Sequence, residues 1–169
     1  MSRVQIVAEL GANAFPYTRY RLGAMIHHAR QAGADAVKVQ LFKPRHFPIE
    51  ERSEKTKYQF PRREFSFFVE LAHAYHLEAG ASVFDREAVE LCAETKADFV
   101  KLATREEANR PLRIQCQDMF HGSVLRSVRW PHNQTVKSWP RETTLGCIPE
   151  YPARRRTWGQ LCALGKLFS

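Results

Sequence analysis

"AVKVQLF", residues 36–42, is the stretch on which the fold turns. Val37, Val39 and Leu41 alternate with Ala36, Lys38 and Gln40, so a run the length of one strand carries two polar side chains on a single face. A lysine withdrawn from water must shed its proton or meet a negative group, because an unpaired buried charge is expensive. Two partners are open at this point: a carboxylate of the protein, giving a structural ion pair, or an anionic ligand.

Working outward, strand-like and helix-like runs alternate. "VQIVAEL" (4–10) reads as a first strand, and in "YRLGAMIHHARQAGA" the residues Leu22, Met25, Ile26 and Ala29 recur at helical spacing up to a stop at Gly33. After residues 36–42, "EFSFFVELAHAYHLEAG" reads as a second helix ending at Gly80, "ASVF" as a third strand, "REAVELCAETKA" as a third helix and "DFVKLAT" as a fourth strand. "NRPLRIQCQDMF" reads as helical, "SVLRSV" and "TTLGCI" as fifth and sixth strands, and "RTWGQLCALGKLF" as a closing helix, with 126–144 expected to be a long loop. This alternation predicts βα units on a parallel sheet.

Strand parity then sorts the side chains. Gln5, Val7 and Glu9 share one face of the first strand, Lys38 and Gln40 one face of the second, and Lys101 and Ala103 one face of the fourth, whereas the opposite parity is nearly all apolar. In a βα barrel the polar face lines the interior, and chemistry gathers at the C-terminal ends of the strands. Glu9, Lys38 and Lys101 would converge there, two cations against one carboxylate, and the surplus favours an anionic ligand for Lys38 over a self-contained pair. The fold class expected is α/β, an incomplete TIM-type barrel of about six parallel strands, since a full barrel takes roughly 250 residues.

Length and composition agree with a single folded domain: 169 residues, 44% hydrophobic and 11% aromatic. The formal charge of +8 is spread along the chain, with one short run at Arg154–Arg156, so nucleic acid is not an expected partner. Cys92, Cys116, Cys147 and Cys162 lack metal or disulfide spacing, which suits a reducing compartment. No signal peptide or bilayer-spanning run is apparent, and the expected location is cytoplasmic, leaving the sequon at Asn133 accidental. His73 and His76 sit at i, i+3 spacing but read as surface residues, and Trp130, Trp139 and Trp158 as anchors.

At the polar strand residues the sequence resembles the sialic acid synthase family, whose enzymes condense phosphoenolpyruvate with an N-acetylated hexosamine on a βα barrel. "AELGANA" (8–14) is similar to its A-E-I-G-x-N-H motif and "AGADAVKVQLFK" (32–43) to A-G-A-D-A-V-K-F-Q-x-F-K. "ASVFD" (81–85) is similar to S-T-P-F-D, "VKLATRE" (100–106) to F-K-I-A-S-G-E, and "LGCIPEYPA" (145–153) to L-H-C-V-S-E-Y-P-T. The resemblance implies that Lys38, Ser82, Lys101 and Thr104 hold the phosphate and carboxylate of phosphoenolpyruvate. It implies that Glu9, Gln40 and Glu106 face the amino sugar or the reacting carbons, with Glu9 and Glu106 in catalytic roles, and it places Asn13 with the substrate-binding residues.

The pattern also breaks. The family holds a divalent metal such as manganese on two histidines; Gly146 replaces the first, and the second would fall beyond Ser169, so no metal cofactor is expected. Ala14 replaces a further histidine, Arg126 and Arg129 stand where the fifth-strand motif would be, and two strands and the C-terminal antifreeze-like domain are not found. Two readings follow. One is a synthase relative with impaired or lost catalysis that binds phosphoenolpyruvate or a similar small anion. The other is a non-catalytic binding or structural subunit of a larger assembly, a virion included. In both, open sheet edges call for a second copy or an assembly partner.

Overall fold

In the computed structural model of the protein, residues 4–129 and 139–147 are described. The strands are β1 (Val7–Glu9), β2 (Ala36–Leu41), β3 (Glu78–Val83), β4 (Phe99–Leu102), β5 (Ser123–Arg129) and β6 (Glu142–Cys147); the helices are α1 (Arg19–Gln31), α2 (Arg52–Lys57), α3 (Phe65–Ala74), α4 (Arg86–Glu94) and α5 (Arg110–Met119). The six strands pair in chain order, every pair parallel, and curl into a half-barrel with helices outside.

Parity divides the two faces as the sequence implies. Val37, Val39, Leu41, Ala79, Ala81, Val83, Val100, Leu102 and Val124 pack outward against Leu22 and Ile26 of α1, Phe65, Phe68 and Ala72 of α3, Val89 and Cys92 of α4, and Leu112 and Cys116 of α5. Side-chain caps set the helix starts: Thr18 accepts from Arg21 N–H, Asp85 from Ala88 N–H and Asn109 from Leu112 N–H. Gly33, at φ +83°, ends α1 as expected.

Gly80 does not end a helix. Helix α3 stops at Ala74, His76 takes φ +56°, and Gly80 lies within β3, three residues earlier than the strand was expected to begin. A Cβ at Gly80 would sit 2.5 Å from the Phe99 ring, so the glycine makes room for that ring across the interior face rather than serving a turn. The expected loop at 126–144 is shorter as well, because β5 runs on to Arg129 and β6 starts at Glu142. The Arg154–Arg156 run and the expected closing helix lie outside the described residues, as do Trp130 and Trp158.

Candidate anion site

The register places the polar residues of the interior in two rows. Glu9, Lys38 and Gly80 are neighbours across β1, β2 and β3, and Gln40, Ser82 and Lys101 are neighbours across β2, β3 and β4. Lys38, only 5% exposed, donates to the Glu9 carboxylate and, at 2.9 Å, to Ser82 Oγ. Burial pushes its amine below the usual lysine range, and Glu9 works against that shift. The opening question about Lys38 thus has a protein partner as its first answer.

Lys101 has no such partner. It is half-buried on the same face, across Ser82 from Lys38, and among the described residues it makes no hydrogen bond or ion pair. Burial lowers its amine's proton affinity, the Lys38 charge lowers it further, and Cys147 and Glu9 oppose the change. Two cations and one carboxylate therefore converge as the sequence implies, and the carboxylate is spent on Lys38.

The remaining candidates divide into two groups. Thr104, just past β4, has its hydroxyl 2.7 Å from Cys147 Sγ, and Gln40 Nε2 and Glu9 Oε1 both border the space over Gly11. These side chains stay with the lysines. Glu106 does not: it accepts from Asn109 at 2.7 Å, pairs with Arg105 and acts electrostatically on His46, within a second charged cluster. Asn13 is exposed and donates to the Glu9 carbonyl oxygen, so it props β1.

That second cluster is built around Asp85, which accepts from Arg62 at 2.9 and 3.1 Å while capping α4 and stays below the usual carboxylate range. Lys43, Arg45 and His46 surround it, and Lys43 also binds Glu87. His73 is engaged by Asp98 at 2.7 Å, in keeping with the surface role expected of it.

Two residues were missed in the sequence. In β6, Thr143 and Leu145 line the interior, so alternation carries Cys147 inward beside Thr104 and turns Gly146 outward. The signal for this thiol at the mouth of the half-barrel is strand parity alone. Tyr17 is the other: its hydroxyl lies 3.2 Å from Gly11 O and 2.9 Å from Tyr58 O, and burial, then Glu9, push it up to about 12. It ties the loop after β1 to the loop before α3.

Arg126, which stands where the fifth-strand motif would be, takes no part in the interior site. It faces outward, away from the lysines, and with Arg113 it encloses Glu142, whose side chain is fully buried. Arg113 also lies 3.9 Å from the centre of the Trp139 ring, which anchors the tryptophan as expected.

A cleft of about 510 Å³ opens on the interior face at the N-terminal ends of the strands, lined by Val7, Ala36, Phe99, Leu125 and Leu145. It contains neither lysine. A second, of about 310 Å³, adjoins Gln40 and has Phe42, Phe47 and Tyr58 in its wall.

The sequence matches the NeuB family over residues 25–128, more than half of the chain. The chain belongs to the NeuB family. The match spans β2, β3 and β4 and so includes Lys38, Gln40, Ser82, Lys101 and Thr104. In three dimensions the chain is similar to the N-acetylneuraminic acid (sialic acid) synthetase of Leptospira borgpetersenii serovar Hardjo-bovis, solved in complex with citrate, with a TM-score of 0.81 and 21% identity over 98% of this chain and 61% of that one. It is similar also to spore coat polysaccharide biosynthesis proteins of Bacillus subtilis (TM-score 0.74, 20% identity, 99% of this chain and 51% of that one) and Chromobacterium violaceum (0.78, 15%, 98% and 56%). The chain therefore spans between half and two thirds of the length of these proteins. No curated protein sequence matches it. Among the described residues no helix is long and apolar enough to cross a membrane.

Gly146 offers no side chain and lies on the outward parity of β6, and among the described residues no three His, Cys, Asp or Glu side chains converge.

Proposed function

We propose that the interior of the half-barrel binds a small, multiply charged anion of the phosphoenolpyruvate type. Lys38, Ser82, Lys101 and Thr104 would donate to it, and Gln40 and Glu9 would border the neighbouring space. The observation that carries this reading is the half-buried Lys101 beside the Lys38–Glu9 pair with no counter-charge among the described residues. Such an arrangement costs stability unless a ligand supplies the charge. Family membership supports the choice of anion, and so does the citrate, a polyanion, bound to the Leptospira synthetase.

Catalysis of the synthase type is not assigned to these residues. Among the described residues no three His, Cys, Asp or Glu side chains converge to hold a metal that would activate an aldehyde, and Glu106 is engaged by Asn109 and Arg105. Adding phosphoenolpyruvate should raise the melting temperature in a concentration-dependent way. Phosphate release on adding N-acetylmannosamine as well would contradict the non-catalytic reading, and the absence of any melting shift would contradict the anion site.

A second reading, an assembly subunit, draws on β1. This strand is an edge of the sheet, and Val4, Ile6 and Val7 beside and within it are 81%, 56% and 40% exposed. Such an edge invites a second copy or another protein. Mass measurement in solution tests it; a monomer at high concentration would remove a second copy.

A further inference from the structure

The anion reading gives Lys101 a charge to neutralise, but its surroundings suit another task. Nucleophilic lysines are amines kept from their proton by desolvation or by a neighbouring cation. Lys101 has both: it is half-buried, and Lys38 stands across Ser82 from it, on the same interior face. Among the described residues no carboxylate pairs with it to fix the proton in place. Lys38 differs in its contacts, being tied to both the Glu9 carboxylate and Ser82 Oγ.

We infer that Lys101 captures the carbonyl carbon of a small 2-oxo acid as an imine, with Lys38 and Ser82 holding the carboxylate of that acid. This rests on the anion reading, because the carboxylate needs the Lys38 charge. In the step, the neutral amine of Lys101 forms a C–N bond as the carbonyl π bond breaks, giving a carbinolamine. The carbinolamine hydroxyl takes a proton and leaves as water, and the iminium keeps the positive charge that the ammonium had. One ammonium and one ketone give one iminium and one water, so no oxidant, reductant or metal is required. An iminium is a stronger electrophile than the parent ketone, and it activates a carbonyl where metal donors are lacking.

The test is reductive trapping on the full chain, with pyruvate as the probe and sodium borohydride as the reductant. The expected result is a mass gain of one pyruvic acid less one oxygen atom, approaching one adduct per chain. It should map to Lys101 as a missed tryptic cleavage and be suppressed by excess phosphoenolpyruvate. Lys101→Arg replaces the amine by a guanidinium that forms no imine under these conditions and should lose the adduct. If that variant does not fold, the peptide map of the unaltered protein decides alone. No adduct, or one spread over exposed lysines such as Lys57 and Lys96, overturns the imine. A melting shift without an adduct removes the imine and leaves the anion site; the absence of both removes the two together.

Discussion

Two clusters on opposite faces of the same sheet have the same formal composition, two cations and one carboxylate, and opposite outcomes. On the outer face Glu142, fully buried, accepts from Arg113 at 2.7 and 2.8 Å and from Arg126 at 2.7 Å, so one carboxylate serves both guanidinium groups. On the inner face Glu9, 43% exposed, reaches Lys38 alone, and Lys101 is left over. A charge count therefore cannot tell a structural cluster from a ligand site. What distinguishes them is geometry: two planar donors grip a shared oxygen pair, whereas two compact ammonium groups set on either side of a serine do not.

The sharpest way to break this comparison is to remove each carboxylate. Glu142→Gln should cost about 3–5 kcal/mol, because the buried Arg126 and the partly buried Arg113 lose the carboxylate that they share. Urea denaturation reads it. Glu9→Gln should cost less, about 1–2 kcal/mol, since Lys38 keeps Ser82 and can release its proton. Equal losses would show that the two clusters are both structural.

Removing the surplus cation should have the opposite sign. Lys101→Met is expected to stabilise the ligand-free protein by about 1 kcal/mol, as replacement of poorly compensated buried charge by an apolar group does. Denaturation at neutral pH checks it, and a loss of stability would indicate a counter-charge at Lys101.

A smaller effect sharpens the same point. Both interior lysines hold their protons less tightly folded than unfolded, where the amine sits near 10.5. Between the lowered folded value and 10.5 the unfolded chain binds more protons, so the contribution of these groups to stability rises with pH across that window. The difference between the unaltered protein and Lys101→Met should therefore shrink as pH climbs towards 10.5. A difference constant with pH would contradict the lowered proton affinity of Lys101.

Much of this was legible in the sequence because strand parity is a strong constraint. The alternation in residues 36–42 is enough to separate the face that packs on helices from the face that carries Lys38, and the six strands and helices α1, α3, α4 and α5 follow from similar runs, whereas α2 falls in a polar stretch without helical periodicity. The errors have physical sources. Gly80 was taken for a helix stop because a glycine after a helical run usually is one, and only the Phe99 ring across the sheet explains it otherwise. Glu106 looks like an interior residue from its motif, but the single turn at Thr104–Glu106 carries it over to Asn109 and Arg105. Arg126 stands where the fifth-strand motif would be, and its outward parity with Val124 and Val128 places it against Glu142. Cys147 has no metal or disulfide spacing, and only its inward parity in β6 places its thiol beside Thr104.

Isothermal titration of phosphoenolpyruvate into the unaltered protein and into Lys101→Met tests the unpaired interior cation most directly. The account predicts saturable binding to the first and at least about a tenfold weaker affinity in the second, the equivalent of about 1.4 kcal/mol. Equal affinity in the two, or no binding to the unaltered protein, would contradict it.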